Sequence, residues 1–191
     1  MYDVHTTEGI VLASTGIGEA NKLVTLFTSD FGLVYATAQG VRLQKSKLRF
    51  RLVDYSVISL SLVRGRGRWR LTNVLEDDSS IKKNQDILLF RARIGSLLKR
   101  LIHGEESDPT LFSILNESFK SASSANADDI EYIETLTVLR MLNRLGYIGD
   151  KKLVASYCES EDITNDMVQD IKSGKKDIVR IINMALRESQ L

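Results

Sequence analysis

Tyr55-Ser56-Val57-Ile58-Ser59-Leu60-Ser61-Leu62-Val63-Arg64-Gly65-Arg66-Gly67-Arg68-Trp69-Arg70-Leu71 alternates, breaks and alternates again. Val57, Ser59 and Ser61 fall on one face of an extended chain and Ile58, Leu60 and Leu62 on the other, the period-two pattern of a strand with one buried face. Two glycines within Arg64-Gly65-Arg66-Gly67 interrupt the pattern, and Arg68 to Leu75 resumes it, so the stretch reads as a hairpin. Upstream, Thr6 to Ala13, Leu23 to Thr28 and Gly32 to Ala38 read as three further strands. Ser29-Asp30-Phe31-Gly32 joins the last two through an Asp able to bond its own backbone and a Gly that tolerates positive φ. Five short antiparallel strands within about 75 residues match a small closed barrel, in which closure removes unpaired edges; OB-type and SH3-like barrels both fit.

From about residue 80 the apolar period lengthens to between three and four. Ile87, Phe90, Ile94, Leu97, Leu98, Leu101 and Ile102 form one helical stripe. Asp108-Pro109 opens a second helix, and Asp128 is the expected cap of a third that Gly146 ends. Lys151 to Ile163 has no clear period, and Thr164 to Ile171 and Lys175 to Arg187 read as two closing helices split at Ser173-Gly174. The expected class is α+β: a five-stranded β-barrel over residues 1–79 followed by an α-helical bundle over residues 80–191.

The formal net charge of +1 conceals an asymmetry. Residues 1–70 carry ten Lys and Arg against five Asp and Glu, a net +5, which leaves −4 for the remainder. No stretch is apolar enough to span a bilayer and the first residues lack the regions of a signal peptide, so a cytoplasmic protein is expected. The single cysteine, Cys158, excludes an intramolecular disulfide and a multi-cysteine zinc knuckle, and is expected to be an inert, partly buried thiol.

The basic half is concentrated. Gln39 to Arg51 holds Arg42, Lys45, Lys47, Arg49 and Arg51 with no acid, and Arg64, Arg66, Arg68 and Arg70 follow on the later hairpin. Between Arg42 and Arg70 nine bases face only Asp54, a net +8. Such a surface attracts phosphates without reading sequence and weakens steeply with salt. Trp69, set among arginines, is either a stacking partner for an unpaired base or, since alternation places it opposite Arg68 and Arg70, a core residue.

Other motifs carry no chemistry. Gly16-Ile17-Gly18-Glu19 lacks the lysine and following helix of a phosphate loop and reads as a plain hairpin turn. His5 and His103 stand apart from any carboxylate or thiol cluster, and no acid, base, nucleophile and metal grouping is present, so neither catalysis nor a cofactor is expected. Two binding functions remain: nucleic acid on the basic barrel, or an adaptor whose barrel holds an acidic protein.

Several stretches resemble a known family. Thr7-Glu8-Gly9-Ile10-Val11-Leu12, Gly18-Glu19, Leu26-Phe27-Thr28-Ser29-Asp30-Phe31-Gly32-Leu33, Ala38-Gln39-Gly40-Val41-Arg42 with Lys45-Ser46-Lys47-Leu48-Arg49, and Leu145-Gly146-Tyr147 are similar to segments of the bacterial DNA repair protein family RecO. The resemblance spans about residues 6–75 most fully. It implies an N-terminal OB-fold ahead of a helical domain. It further implies binding of single- and double-stranded DNA, annealing of complementary strands, and work with RecR to load RecA on DNA coated by single-strand-binding protein. The C-terminal tail of that protein is an expected partner; the helical faces are expected to be core, with at most a residual groove for an apolar peptide tail from a partner. By position, Arg42, Lys45, Lys47 and Arg49 become the expected DNA contacts, with Arg51, Arg64, Arg66, Arg68, Trp69 and Arg70 added by charge and proximity. Many relatives place a four-cysteine zinc ribbon after the Leu-Gly-Tyr segment; here only Cys158 stands in that region, so zinc is not expected.

Overall fold

The computed structural model describes residues 3–65, 67–77 and 84–188. The chain divides into two compact units, Met1–Asn84 with Ile102–Pro109, and Gln85–Leu101 with Thr110–Leu191.

In the first unit, β1 (Val4–Ile17), β2 (Asn21–Thr28), β3 (Gly32–Ala38), β4 (Val57–Arg64) and β5 (Trp69–Asp77) form a closed barrel in the order β1-β2-β3-β5-β4. Neighbouring strands are antiparallel except β3 and β5, which run parallel. This is the five-stranded Greek-key closure of an OB-type barrel. Strand β1 makes closure possible: Val4–Ile10 pairs with β4 while Gly9–Ile17 pairs with β2. Gly9 lies where the strand serves both partners, and a Cβ there would stand 2.9 Å from the Leu60 side chain. A register shift between Val11 and Ala13 bends the strand further.

The alternation of β4 is realised as expected on one side, with Ile58, Leu60 and Leu62 all in the barrel core beside Val24, Leu26 and Val34. The β2–β3 turn is bonded differently from the sequence expectation. Thr28, not Asp30, organises it: the Thr28 Oγ1 accepts from the Phe31 N–H and donates to the Gly32 carbonyl, both at 3.1 Å. Gly32 has φ +63°, and a Cβ on it would meet the Glu106 carbonyl oxygen at 2.1 Å. The residues after the first helix thus return to the barrel, where the Leu33 N–H donates to the Gly104 carbonyl at 3.1 Å.

The second unit holds five helices among the described residues: α1 (Gln85–Leu101), α2 (Pro109–Ser124), α3 (Ile130–Arg144), α4 (Ala155–Cys158) and α5 (Asn165–Glu188). Ile87, Phe90, Ile94, Leu98 and Leu101 form the buried stripe of α1, and Pro109 occupies the first position of α2. Helix α3 packs against both α1 and α5. Its start departs from expectation. A single 3-10 turn, Ala127–Asp129, runs straight into it, and Asp129 holds the cap position without a side-chain hydrogen bond. Its end follows expectation: Gly146 has φ +80°, its N–H donates to Asn143 O, and the Tyr147 N–H donates to Leu142 O, a paired C-cap that satisfies two terminal carbonyls.

Ser173-Gly174 does not split the last helix, because α5 is continuous over 24 residues. A glycine inside a helix costs about 1 kcal/mol relative to alanine. Burial of Val168, Ile171, Ile178, Ile182 and Ala185 along one face offsets it. The non-periodic segment before α5 is clamped by Arg140, which is 1% exposed. Its guanidinium donates to the carbonyls of Tyr157 (2.6 Å), Glu161 (2.7 Å) and Asp162 (2.9 Å). Nearby, burial pushes the Cys158 thiol above its ordinary pKa.

Candidate nucleic-acid interface

The basic segment leaves β3 at Gly40, whose φ of +65° turns the chain and whose N–H donates to Asn21 Oδ1 at 2.9 Å. Val41, Leu48 and Leu52 point into or against the barrel core, so the segment plugs one end of the barrel. Two of its five cations fix it there. The Arg42 N–H donates to the Ala20 carbonyl at 2.9 Å, and its Nη1 reaches the Gly18 carbonyl at 2.5 Å. Gly16 makes room for this, since a Cβ on it would lie 3.1 Å from that same nitrogen. At the other end, Arg51 Nη1 donates to the Val74 carbonyl of β5 at 2.5 Å.

Between these anchors the loop is pre-shaped and its cations are exposed. Lys47–Phe50 forms a 3-10 turn, and Lys45, Lys47 and Arg49 project into solvent with no ion-pair partner among the described residues. Arg49 stands 5.7 Å from the centre of the Phe50 ring. Phe50 itself is 68% exposed.

The later hairpin is built otherwise. Gly65 N–H donates to Arg68 O at 2.9 Å, closing the turn. Arg64 is engaged within the unit: it pairs with Glu105 at 3.2 Å and lies 5.1 Å over the Trp69 ring. Trp69 is 3% exposed and stacks edge-on or tilted against His5 and Phe31, with ring centres 5.7 and 5.0 Å away. The choice left open by the sequence therefore falls to the core, where Trp69 is packed with the barrel's buried residues. Arg66 lies outside the described residues. Arg68 and Arg70 are exposed and, with Thr37, Gln39, Gly65, Gly67 and an edge of Trp69, line a shallow polar pocket where β5 runs beside β3. Thr37 is opposite Leu23 of β2 on one side and Arg70 of β5 on the other, so the outer face of β3 leads from this pocket into the basic loop.

Nine of the ten sequence-predicted contacts, all but Arg66, thus fall into distinct roles. Lys45, Lys47, Arg49, Arg68 and Arg70 are exposed and available; Arg42 and Arg51 hold the loop; Arg64 is paired; Trp69 is core. Two exposed aromatics that sequence reasoning passed over flank this surface, Phe50 and Tyr35, the latter 54% exposed on β3. Period-two alternation from buried Val34 and Ala36 already puts Tyr35 outward, whereas nothing local in the sequence distinguishes Phe50 from a plug residue such as Leu48. Among the described residues no group of three or more His, Cys, Asp or Glu is placed to hold a metal ion, and no helix is long and apolar enough to cross a membrane.

Comparison with known proteins converges on one family. Residues 1–75 match the family described as recombination protein O, N-terminal. The chain is 31% identical over 122 residues to the DNA repair protein RecO of Gloeothece citriformis, covering 63% of this chain and 43% of the relative. It is 25% identical over 144 residues to RecO of a Thermoanaerobacter species, covering 74% and 58%. With RecO of Bacillus subtilis it shares 25% identity over 159 residues, 82% of this chain and 61% of the relative. The chain spans about half the length of the curated relatives it matches. Residues 1–75, which form nearly all of the OB-type barrel, are therefore similar to the N-terminal part of the RecO family, and the similarity to RecO proteins runs on into the helical unit that follows in the chain.

Proposed function

We propose that the chain acts in DNA repair and recombination as a binding protein without covalent catalysis, holding single- and double-stranded DNA on its barrel and annealing complementary strands. The observation that carries this reading is the loop from Arg42 to Arg51, in which two arginines secure the backbone and three exposed cations stand between them. Cations held in place contact successive phosphates without ordering the loop first, and each neutralised phosphate releases counterions. Bringing two such neutralised strands together lowers their mutual repulsion, which is what annealing requires. Arg68 and Arg70 extend the track along β3.

On this reading the similarity to RecO proteins supports partnership with RecR and with single-strand-binding protein, including its C-terminal tail, and an indirect role in RecA loading at the nucleoid in the cytoplasm. The test is direct. Changing Lys45, Lys47 and Arg49 together to Glu is expected to weaken binding to single-stranded DNA at low salt and to reduce the salt slope by about 2, at roughly 0.7 per lost phosphate contact. Annealing is expected to slow in parallel. An unchanged slope and annealing rate, or binding only to acidic proteins and never to DNA of arbitrary sequence, would overturn the reading.

A further inference from the structure

We infer that Phe50 is the side chain with which the barrel stacks on an unpaired base, an inference that rests on the DNA-binding reading above and deepens it. Phe50 is the most exposed of the large apolar side chains among the described residues. It does not sit on a loose loop. It ends the 3-10 turn Lys47–Phe50, in which Arg51 N–H and Leu52 N–H donate to Leu48 O at 3.2 and 3.3 Å. Leu48 on one side packs against the core, and on the other Arg51 is bonded to Val74 O and Leu52 is buried. An aromatic carried on a fixed backbone spares the cost of ordering the loop when a ligand arrives, which leaves more of the stacking energy to affinity.

Its surroundings specify the ligand. Arg49 lies by the ring, and Lys45 and Lys47 precede it on the same loop. Cations that take the phosphates beside an aromatic that takes the base is the arrangement for sequence-independent capture of single strands. A duplex keeps its bases stacked on one another and offers the ring no face, so Phe50 selects for single strands while the cations serve both. The other aromatics fit less well: Trp69 is buried, and no cation lies over the ring of Tyr35 among the described residues.

The experiment compares the whole chain with its F50A and F50W variants on an oligothymidylate strand, a duplex, and a single strand of the same length bearing abasic sites. Because Phe50 is exposed, F50A should keep the native melting temperature. Alanine in place of a stacking aromatic costs about 1–3 kcal/mol per base, so F50A is expected to lose roughly 5- to 150-fold in affinity for oligothymidylate. Its salt slope should equal that of the unaltered chain, F50W should recover the loss, and the duplex and the abasic strand should be bound alike by F50A and the unaltered chain. Unchanged affinity for oligothymidylate, equal losses on all three ligands, or a loss caused by Y35A instead would overturn the assignment. Failure of the underlying reading looks different: the unaltered chain would bind no strand, or K45E with K47E would leave the salt slope untouched.

Discussion

The loop from Arg42 to Arg51 and the hairpin from Arg64 to Arg70 carry nearly the same density of positive charge, and the structure uses them in opposite ways. In the loop, arginines at the two ends bond backbone carbonyls of Gly18 and Val74, and Lys45, Lys47, Arg49 and Phe50 between them face outward. In the hairpin, the first arginine is drawn back onto Trp69 and Glu105, and the exposed pair comes last, on a strand whose position is set by the barrel. A guanidinium that satisfies a carbonyl shapes the backbone as well as carrying charge; a cation with no such bond contributes charge alone. Counting arginines does not separate the two.

Four measurements sharpen or break that contrast. The largest effect is expected from Trp69→Ala, which should destabilise the chain by about 3–5 kcal/mol in denaturant unfolding, as for other buried aromatics. A folded Trp69→Phe variant should bind single-stranded DNA normally, and loss of affinity without loss of stability would return Trp69 to the interface. Next, Arg51→Ala removes a charged donor from the Val74 carbonyl and should cost about 1–3 kcal/mol while also weakening DNA binding through loss of loop shape. Arg64→Ala, by contrast, should cost at most about 1 kcal/mol; equal costs would erase the distinction between loop and hairpin. Third, Arg68→Glu with Arg70→Glu should reduce the salt slope for single strands by at most about 1.4, two phosphates' worth, and by less than the same exchange at Lys45 and Lys47 if the loop is the primary contact. Smallest is Glu105→Gln, which should shift stability by under about 1 kcal/mol, an effect that shrinks with added salt, and raise DNA affinity slightly by releasing Arg64.

Much of this was legible along the chain because it is written in local periods. Ile58, Leu60 and Leu62 announce the barrel core by alternation, and Ile87, Phe90 and Ile94 announce a helix by spacing. Gly146 marks its helix end because the paired cap needs positive φ there. What was not legible depends on partners far away in sequence. That Arg42 and Arg51 also anchor the loop is invisible until the carbonyls they bind are known. Arg140 lies in an apolar helical stripe and reads as an interruption, although it is the residue that gathers the carbonyls of Tyr157, Glu161 and Asp162. Ser173-Gly174 reads as a break because local propensity is blind to the buried face that carries α5 through it. Phe50 and Leu48 are two residues apart in the same turn, and only packing decides that one is covered and the other is not.

The return of Ile102–Pro109 to the barrel has a consequence for how this chain can be divided. The path leaves the first unit after Asn84, comes back at Ile102 and departs again after Pro109, so no single cut yields either unit whole. A fragment stopped at residue 84 would lack the Gly104 carbonyl that receives the Leu33 N–H, and Gly32 would keep its turn with nothing against it. Gene fusion, deletion or proteolysis that severs the barrel from the following helix therefore also removes the segment that covers its β2–β3 turn.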